Sequence, residues 1–387
     1  MPSQTCFGLD PAGLPLAVHF DSVITEVEPL LNAPAGAPRL SPGWVDIQVN
    51  GFAGADYCSP ATPHERIAHS VRVLFSSGVT RFFPTVITGS YDHMADSIRN
   101  LTRAKAALPV EGRAMEGFHI EGPHISPDDG PRGAHPRFAV RAPDTAELDR
   151  WIDISDGLIR LVTVAPEWPG MTAYIEHAVR RGVVVAIGHT NASGDQIRDA
   201  VSSGATMSTH LGNGAHTLLR RHPNYIWEQL AEDRLAVSFI VDGIHLPSSF
   251  LKVALRAKGI ERSVITTDAV MPAGCAPGRY MLGEVEVELH ADQRVTLVGQ
   301  EKLAGSSLRM DRGVENLMRL ADVSLLEAVT MATRNPARCG RLPGRLRGLA
   351  VGERADLVEF DFDESTRAVT VQRVFLDGEQ VYSRQPA

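Results

Sequence analysis

Short apolar runs recur along the chain at about 43–49, 79–83, 115–120, 158–164, 183–187, 205–209, 235–241 and 262–266. Stretches with helical spacing lie between them, among them 64–76, 91–106, 171–181, 195–203 and 247–257. Apolar runs without polar alternation read as strands covered on both faces, and strands alternating with helices require parallel crossovers. Eight such units predict an α/β fold, a distorted (β/α)8 TIM-like barrel, whose chemistry sits at the carboxyl ends of its strands. Polar residues fall there: Glu121 follows the third run, His189 the fifth, His210 the sixth, His245 the seventh and Asp268 the eighth.

The two ends of the chain are patterned differently. Residues 1–41 carry short alternating apolar segments (Leu16, Val18, Phe20; Val23, Ile24, Val27) broken by prolines and glycines, and β patterning returns from Gly348 to about Tyr382. Residues 1–41 and 346–387 are therefore expected to form one small β-sandwich domain, interrupted by a barrel over 42–345. After Asp268 the pattern predicts a hairpin over 279–299 and helices near 311–320 and 324–333.

Size and composition narrow the function classes. At 387 residues, 43% hydrophobic and 22% charged, the chain is an ordinary globular protein, and no window approaches the ~18–20 apolar residues that a membrane span needs. The opening MPSQTCFGLDPAG has neither a basic nor an apolar leader region, so a cytoplasmic protein is expected. Cys6, Cys58, Cys275 and Cys339 lie far apart without CxxC spacing, which argues for reduced thiols and against a thiolate zinc site. A net charge of −8 without long runs of one sign argues against nucleic acid as a partner. Fourteen histidines, several after apolar runs, point to metal or acid–base chemistry.

In the third unit an apolar lead-in (Met115, Phe118, Ile120) runs into Glu121, a Gly122-Pro123 stop and His124, with His135 further on. Glu121 is a candidate ligand; taken alone, it could equally pair with an arginine. Gly188-His189 closes the fifth run and Thr209-His210 the sixth, 21 residues later. A single histidine so placed is more often a core residue, but two of them with Glu121 make a two-His, one-carboxylate set that leaves a coordination position for water. Asp268, which could otherwise cap the next element, becomes a candidate proton carrier beside such a water. His64-Glu65 and His69 lack HExxH spacing, Gly212-Asn213-Gly214 is too short for a dinucleotide fingerprint, and neither a P-loop nor a G-x-S-x-G elbow is present. Ser306 and Ser307 read as loop or packing residues.

The ordered set Pro-Gly-Trp-Val-Asp-Ile-Gln-Val-Asn-Gly (42–51), His-Ile-Glu-Gly-Pro (119–123), Gly-Ala-His (133–135), Gly-His-Thr-Asn-Ala (188–192), Thr-His-Leu (209–211), Asp-Gly-Ile-His (242–245), Thr-Asp-Ala (267–269) and Leu-Ala-Gly-Ser (303–306) spans nearly the whole chain. It resembles the N-acetylglucosamine-6-phosphate deacetylase branch of the amidohydrolase superfamily. The resemblance implies that Glu121, His189 and His210 hold one divalent metal per subunit. Zinc is the expected ion, and two imidazoles and a carboxylate also accept iron, cobalt or manganese. It implies that Asp268 is the catalytic acid–base and that His245 contacts substrate and polarises the amide carbonyl or binds phosphate. Gly122, His135, Asn213, Gly214 and Ala304 would bind substrate. Arg221, eleven residues after His210, falls where the family places an arginine that reaches into the neighbouring subunit's phosphate site, which implies a homodimer.

Departures from the branch are local. Gln48 and Asn50 stand where many amidohydrolases have a His-x-His, which favours a one-metal site. Gly212-Asn213-Gly214-Ala215 replaces an aromatic residue followed by Asn-Ala-Met, and His124 a common aromatic. The expected reaction is attack of metal-activated water on the acetamide of an N-acetyl amino sugar phosphate, with Asp268 passing the proton to the amine. The alternatives are the same chemistry on another N-acyl or cyclic amide, or a silent barrel that binds sugar or metal without turnover.

Overall fold

The computed structural model describes residues 4–385. Eight parallel strands, Trp44–Val49, Val79–Ile87, Phe118–Glu121, Ile159–Val164, Val184–Ile187, Met207–Ser208, Ala236–Ile240 and Ser263–Thr266, pair in sequence order. They correspond to the eight predicted runs. The sixth is shorter than expected, and the second extends to Ile87. The circle closes where Val49 bridges Ala269 and the Asp268 amide donates to the Gln48 carbonyl at 3.0 Å. Asp46 reinforces that seam, accepting from Thr266 Oγ1 at 2.9 Å and Thr267 Oγ1 at 2.5 Å. Burial pushes its carboxyl up to about 6 against these donors.

The strand interior is layered. At the amino end Val45, Ile47, Phe83, Leu161, Val184, Ala186, Met207 and Val264 fill the barrel, closed from below by Ala337 and Leu342. Next comes a polar layer in which His119 Nε2 meets Thr163 Oγ1 at 2.8 Å and Thr163 meets Thr209 Oγ1 at 2.7 Å. The site lies above it. The outward faces (Val49, Phe118, Ile120, Val162, Val185, Val237, Ile265) pack under the surrounding helices. Four helices start where side chains satisfy free N–H groups: Ser193 with Gln196 and Ser324 with Glu327 form capping boxes, and Asp144 and Asn224 cap theirs singly.

Both chain ends build one seven-stranded sheet from Gln4–Leu9, Pro15–Phe20, Ile24–Pro29 and Arg39–Pro42 with Leu357–Asp363, Ala368–Leu376 and Glu379–Ser383. It is antiparallel except where Leu9 meets Arg39. The sheet folds over a core of Cys6, Val18, Phe20, Ile24, Leu40, Leu357 and Phe375, in which the Phe20 and Phe375 rings meet edge-on at 5.3 Å. The other face, with Val358, Phe360, Val371 and Val374, joins the barrel's outer core, and Phe360 sits edge-on to Trp44 at 5.8 Å. Asp356 ties the parts together, buried between Arg81 at 2.8 Å and Arg345 at 3.0 Å.

The hairpin expected over 279–299 is a three-stranded meander, Gly278–Leu282, Val285–Leu289 and Val295–Leu297, because Asp292-Gln293 turns the chain a second time. The predicted helices are Met310–Ala321 and Leu325–Ala332, and a further short helix, Arg334–Cys339, supplies the plug beneath the barrel. All four cysteines are unpaired. Among the described residues no helix is long and apolar enough to cross a membrane.

Candidate active site

Glu121, His189 and His210 come from three different strand ends, yet one ligand atom of each lies within 4.8 Å of the others, and all three residues are buried. Nε2 of His189 and Nε2 of His210 are 3.2 Å apart and stand 3.2 and 2.8 Å from the same oxygen, Glu121 Oε1. Burial alone would raise the Glu121 carboxyl, but the two imidazoles more than offset it and hold it well below its usual range. Burial opposes protonation of His210, and Glu121 overcomes it and raises that imidazole.

The donor set fits a divalent metal. Nδ1 of His189 donates to the Pro131 carbonyl at 2.8 Å, which fixes the tautomer and leaves the Nε2 lone pair facing the cluster. Two imidazole nitrogens and a carboxylate oxygen so crowded in a buried space have more lone pairs than protons to share, the condition a cation relieves.

The backbone at these positions is unusual. His189, His210 and Asp268 have positive φ of 49°, 27° and 50°, conformations that side chains rarely adopt and that the surrounding packing must enforce. In each case the strand ends on a turn that swings the side chain over the barrel mouth. Gly122, at φ 82°, needs its missing side chain: a Cβ there would lie 2.1 Å from Thr88 Oγ1.

Asp268 stands beside the cluster. Its Oδ1 accepts from Asn50 Nδ2 at 2.7 Å and from Gln48 Nε2 at 3.0 Å, and Gln48 Nε2 also reaches Glu121 Oε1 at 2.8 Å. Burial, with Glu121 nearby, pushes the Asp268 carboxyl up to about 6. Across the mouth, Nδ1 of His245 lies 2.6 Å from Asp242 Oδ2. Burial would raise Asp242, but its bond to His245 holds it below the usual range.

Glu121, His189, His210, Asn50, His245 and Asp268 line a cavity of about 540 Å³ with Asn213, Gly214, His135, Lys302 and Ala304. Nε2 of His135 is 3.8 Å from Glu121, and its Nδ1 meets Thr88 Oγ1 at 2.8 Å. The loop Gly212–Ala215 presses its backbone on the cluster, so closely that a Cβ at Gly214 would lie 2.5 Å from His189 Nδ1. Gly122 lies behind the wall, shaping the turn after Glu121 rather than lining the cavity. Arg221 is exposed on the loop between His216 and Asn224 and does not reach the cavity of its own chain. His124 is buried, stacked on Trp151 at 6.0 Å and edge-on to Tyr174 at 5.0 Å, so it fills the space of an aromatic ring.

Sequence reasoning missed Thr88, Asp242 and Lys302 as site residues. Asp242 was legible as the first residue of Asp-Gly-Ile-His, three before His245, and Lys302 as the neighbour of Leu-Ala-Gly-Ser; nothing local marked Thr88.

Residues 39–381 match the model of the amidohydrolase family. The chain is 33% identical over 365 residues to an N-acetylgalactosamine-6-phosphate deacetylase of Escherichia coli O157:H7, covering 93% of this chain and 92% of that protein. It is 30% identical to an N-acetylglucosamine-6-phosphate deacetylase of Vibrio furnissii, over 90% of this chain and 84% of that one. The fold superposes with a TM-score of 0.86, at 31% identity and 95% coverage of both chains, on a mutant N-acetyl-D-glucosamine-6-phosphate deacetylase from Mycobacterium smegmatis in complex with N-acetyl-D-glucosamine-6-phosphate.

Proposed function

The chain belongs to the amidohydrolase family, and on that footing we propose that it is a metal-dependent deacetylase, acting in the cytoplasm, that hydrolyses the acetamide of N-acetylglucosamine 6-phosphate to glucosamine 6-phosphate and acetate. One observation carries the reading: the Glu121, His189 and His210 cluster stands beside Asp268 in a cavity of about 540 Å³, within the range of small-molecule sites.

A divalent ion held by Glu121, His189 and His210, with zinc first among the candidates, would polarise the amide carbonyl and make water acidic enough to ionise near neutral pH. Asp268 has Oδ1 engaged by Gln48 and Asn50, so Oδ2 takes the proton from the attacking water. As the C–N bond breaks, the same carboxyl passes that proton to the departing nitrogen. His245, whose Nδ1–H donates to Asp242, lines the cavity with Nε2 unengaged and in its doubly protonated form donates from there to the developing oxyanion. His135, Asn213 and Ala304 hold the sugar. The working unit is a homodimer in which Arg221 of each subunit closes its neighbour's phosphate site; the exposed Leu218 and Leu219 beside it support a surface that packs.

The galactosamine-type relative favours a second reading, in which the substrate is the C4 epimer. Acetate release from N-acetylglucosamine and N-acetylgalactosamine, each with and without the 6-phosphate, tests both. Preference for N-acetylglucosamine 6-phosphate is the expected result, preference for the epimer selects the second reading, and no release from any of the four overturns the function.

A further inference from the structure

A phosphorylated substrate needs a cation at its far end, because the cavity itself presents the carboxylates Glu121 and Asp268. Among the described residues lining the cavity, Lys302 is the only lysine or arginine. It is half-buried, and its Nζ donates to the Gly133 carbonyl at 3.3 Å. An ammonium carries three donors, and this is its one protein partner among the described residues. The carboxylates nearby are committed elsewhere: Glu301 pairs with Arg294 at 3.0 Å, and Asp129 pairs with Arg132.

Position connects this free charge to the reacting centre. Gly133 packs against a metal ligand so closely that a Cβ there would lie 3.1 Å from His189 Cε1 and 4.0 Å from the Gly214 Cα. The ammonium thus sits across one residue from the cluster, on the wall shared with Gly214. Cluster, Asp268 and Lys302 line one cavity, so a sugar whose acetamide lies between the cluster and Asp268 shares that cavity with the ammonium.

Resting on the deacetylase reading above, we propose that Lys302 binds the substrate's phosphate from within the same chain and sets the preference for a phosphorylated sugar. Arg221 lies outside the cavity of its own chain, which leaves Lys302 as the cation that this chain itself brings to the cavity among the described residues. A lysine suits the task as a compact point charge able to turn its free donors to phosphate oxygens.

The test compares kcat/KM for N-acetylglucosamine 6-phosphate and N-acetylglucosamine in the wild type, Lys302→Met and Lys302→Arg. Loss of one charge-assisted contact should lower the ratio by roughly 10- to 100-fold in Lys302→Met, mainly through KM for the phosphorylated sugar, with most of it regained in Lys302→Arg. Titration of metal-loaded protein with inorganic phosphate reads binding without turnover, and weaker binding by Lys302→Met is expected. A wild type that prefers the phosphorylated sugar, with the same ratio and phosphate affinity in Lys302→Met, overturns the role of Lys302 and leaves the deacetylase reading standing. A wild type that releases acetate from both sugars with no preference for the phosphate overturns the role of Lys302, and no release from either sugar overturns the deacetylase reading itself.

Discussion

The side-chain amide of Asn50 donates to Oδ1 of Asp268 at 2.7 Å, joining the end of the first barrel strand to the end of the eighth. Gln48 meets the same oxygen and also Glu121. Two neutral amides therefore stand where a His-x-His would add two ligands, and they orient a carboxyl instead of completing a second metal site. One metal per chain is the expected content. His189→Ala or His210→Ala should abolish both metal and turnover, since each removes one of three protein ligands. Elemental analysis of purified protein before and after chelation checks this, and two tightly held ions per chain would contradict it.

Asp268→Asn should keep the metal, because Asp268 is not in the ligand cluster. It should lose roughly 10²–10⁴ in kcat, the scale of a positioned proton carrier. Asn matches Asp in shape, so thermal unfolding should change little. Near-normal turnover by the metal-loaded variant would remove Asp268 from the mechanism.

Arg221 lies on an exposed loop beside Leu218, which is 90% exposed. If a second subunit covers this loop, Arg221→Ala should raise KM for a phosphorylated sugar far more than for its unphosphorylated analogue, with the metal content unchanged. Sedimentation velocity should give a dimer. A fully active monomer would exclude the arrangement.

Asp356 lies between Arg81 and Arg345, and all three side chains are buried. Burial pulls its carboxyl up, but the two guanidiniums outweigh burial and hold it below the usual range. A carboxyl lowered on folding stabilises the folded state above its unfolded value, near 4, and that contribution disappears as pH falls through the folded value. Stability of the wild type should therefore drop below about pH 4. Asp356→Asn should cost ~3–5 kcal/mol at neutral pH by leaving two arginines undercompensated, and should flatten the acid limb. Urea unfolding at pH 3, 5 and 7 measures both effects.

The eight apolar runs were enough to expect the barrel, because strands covered on both faces must be continuously apolar, and the rule that chemistry gathers at their carboxyl ends singled out Glu121, His189, His210 and Asp268. The sequence also contained the β character of both termini. Their joining into a single sheet depended on pairings between residues more than 300 apart, such as Phe360 with Arg39, which no local pattern encodes.

Tertiary structure decided the rest. Strict alternation along the first strand would turn Gln48 and Asn50 away from the face that carries Val45 and Ile47. The pairing slips between Asp46 and Val49, so Val49 joins the outer core while both amides face the site. The positive φ of His189, His210 and Asp268 is likewise invisible in residues that ordinarily avoid it; packing around each strand end imposes it. Thr88 and Lys302 are brought to the site by neighbours far along the chain, His135 and Gly133. Periodicity reports which face of an element is buried. Which polar groups meet across the mouth of a closed barrel is set by register, turn and closure, and these exist only once the chain has folded.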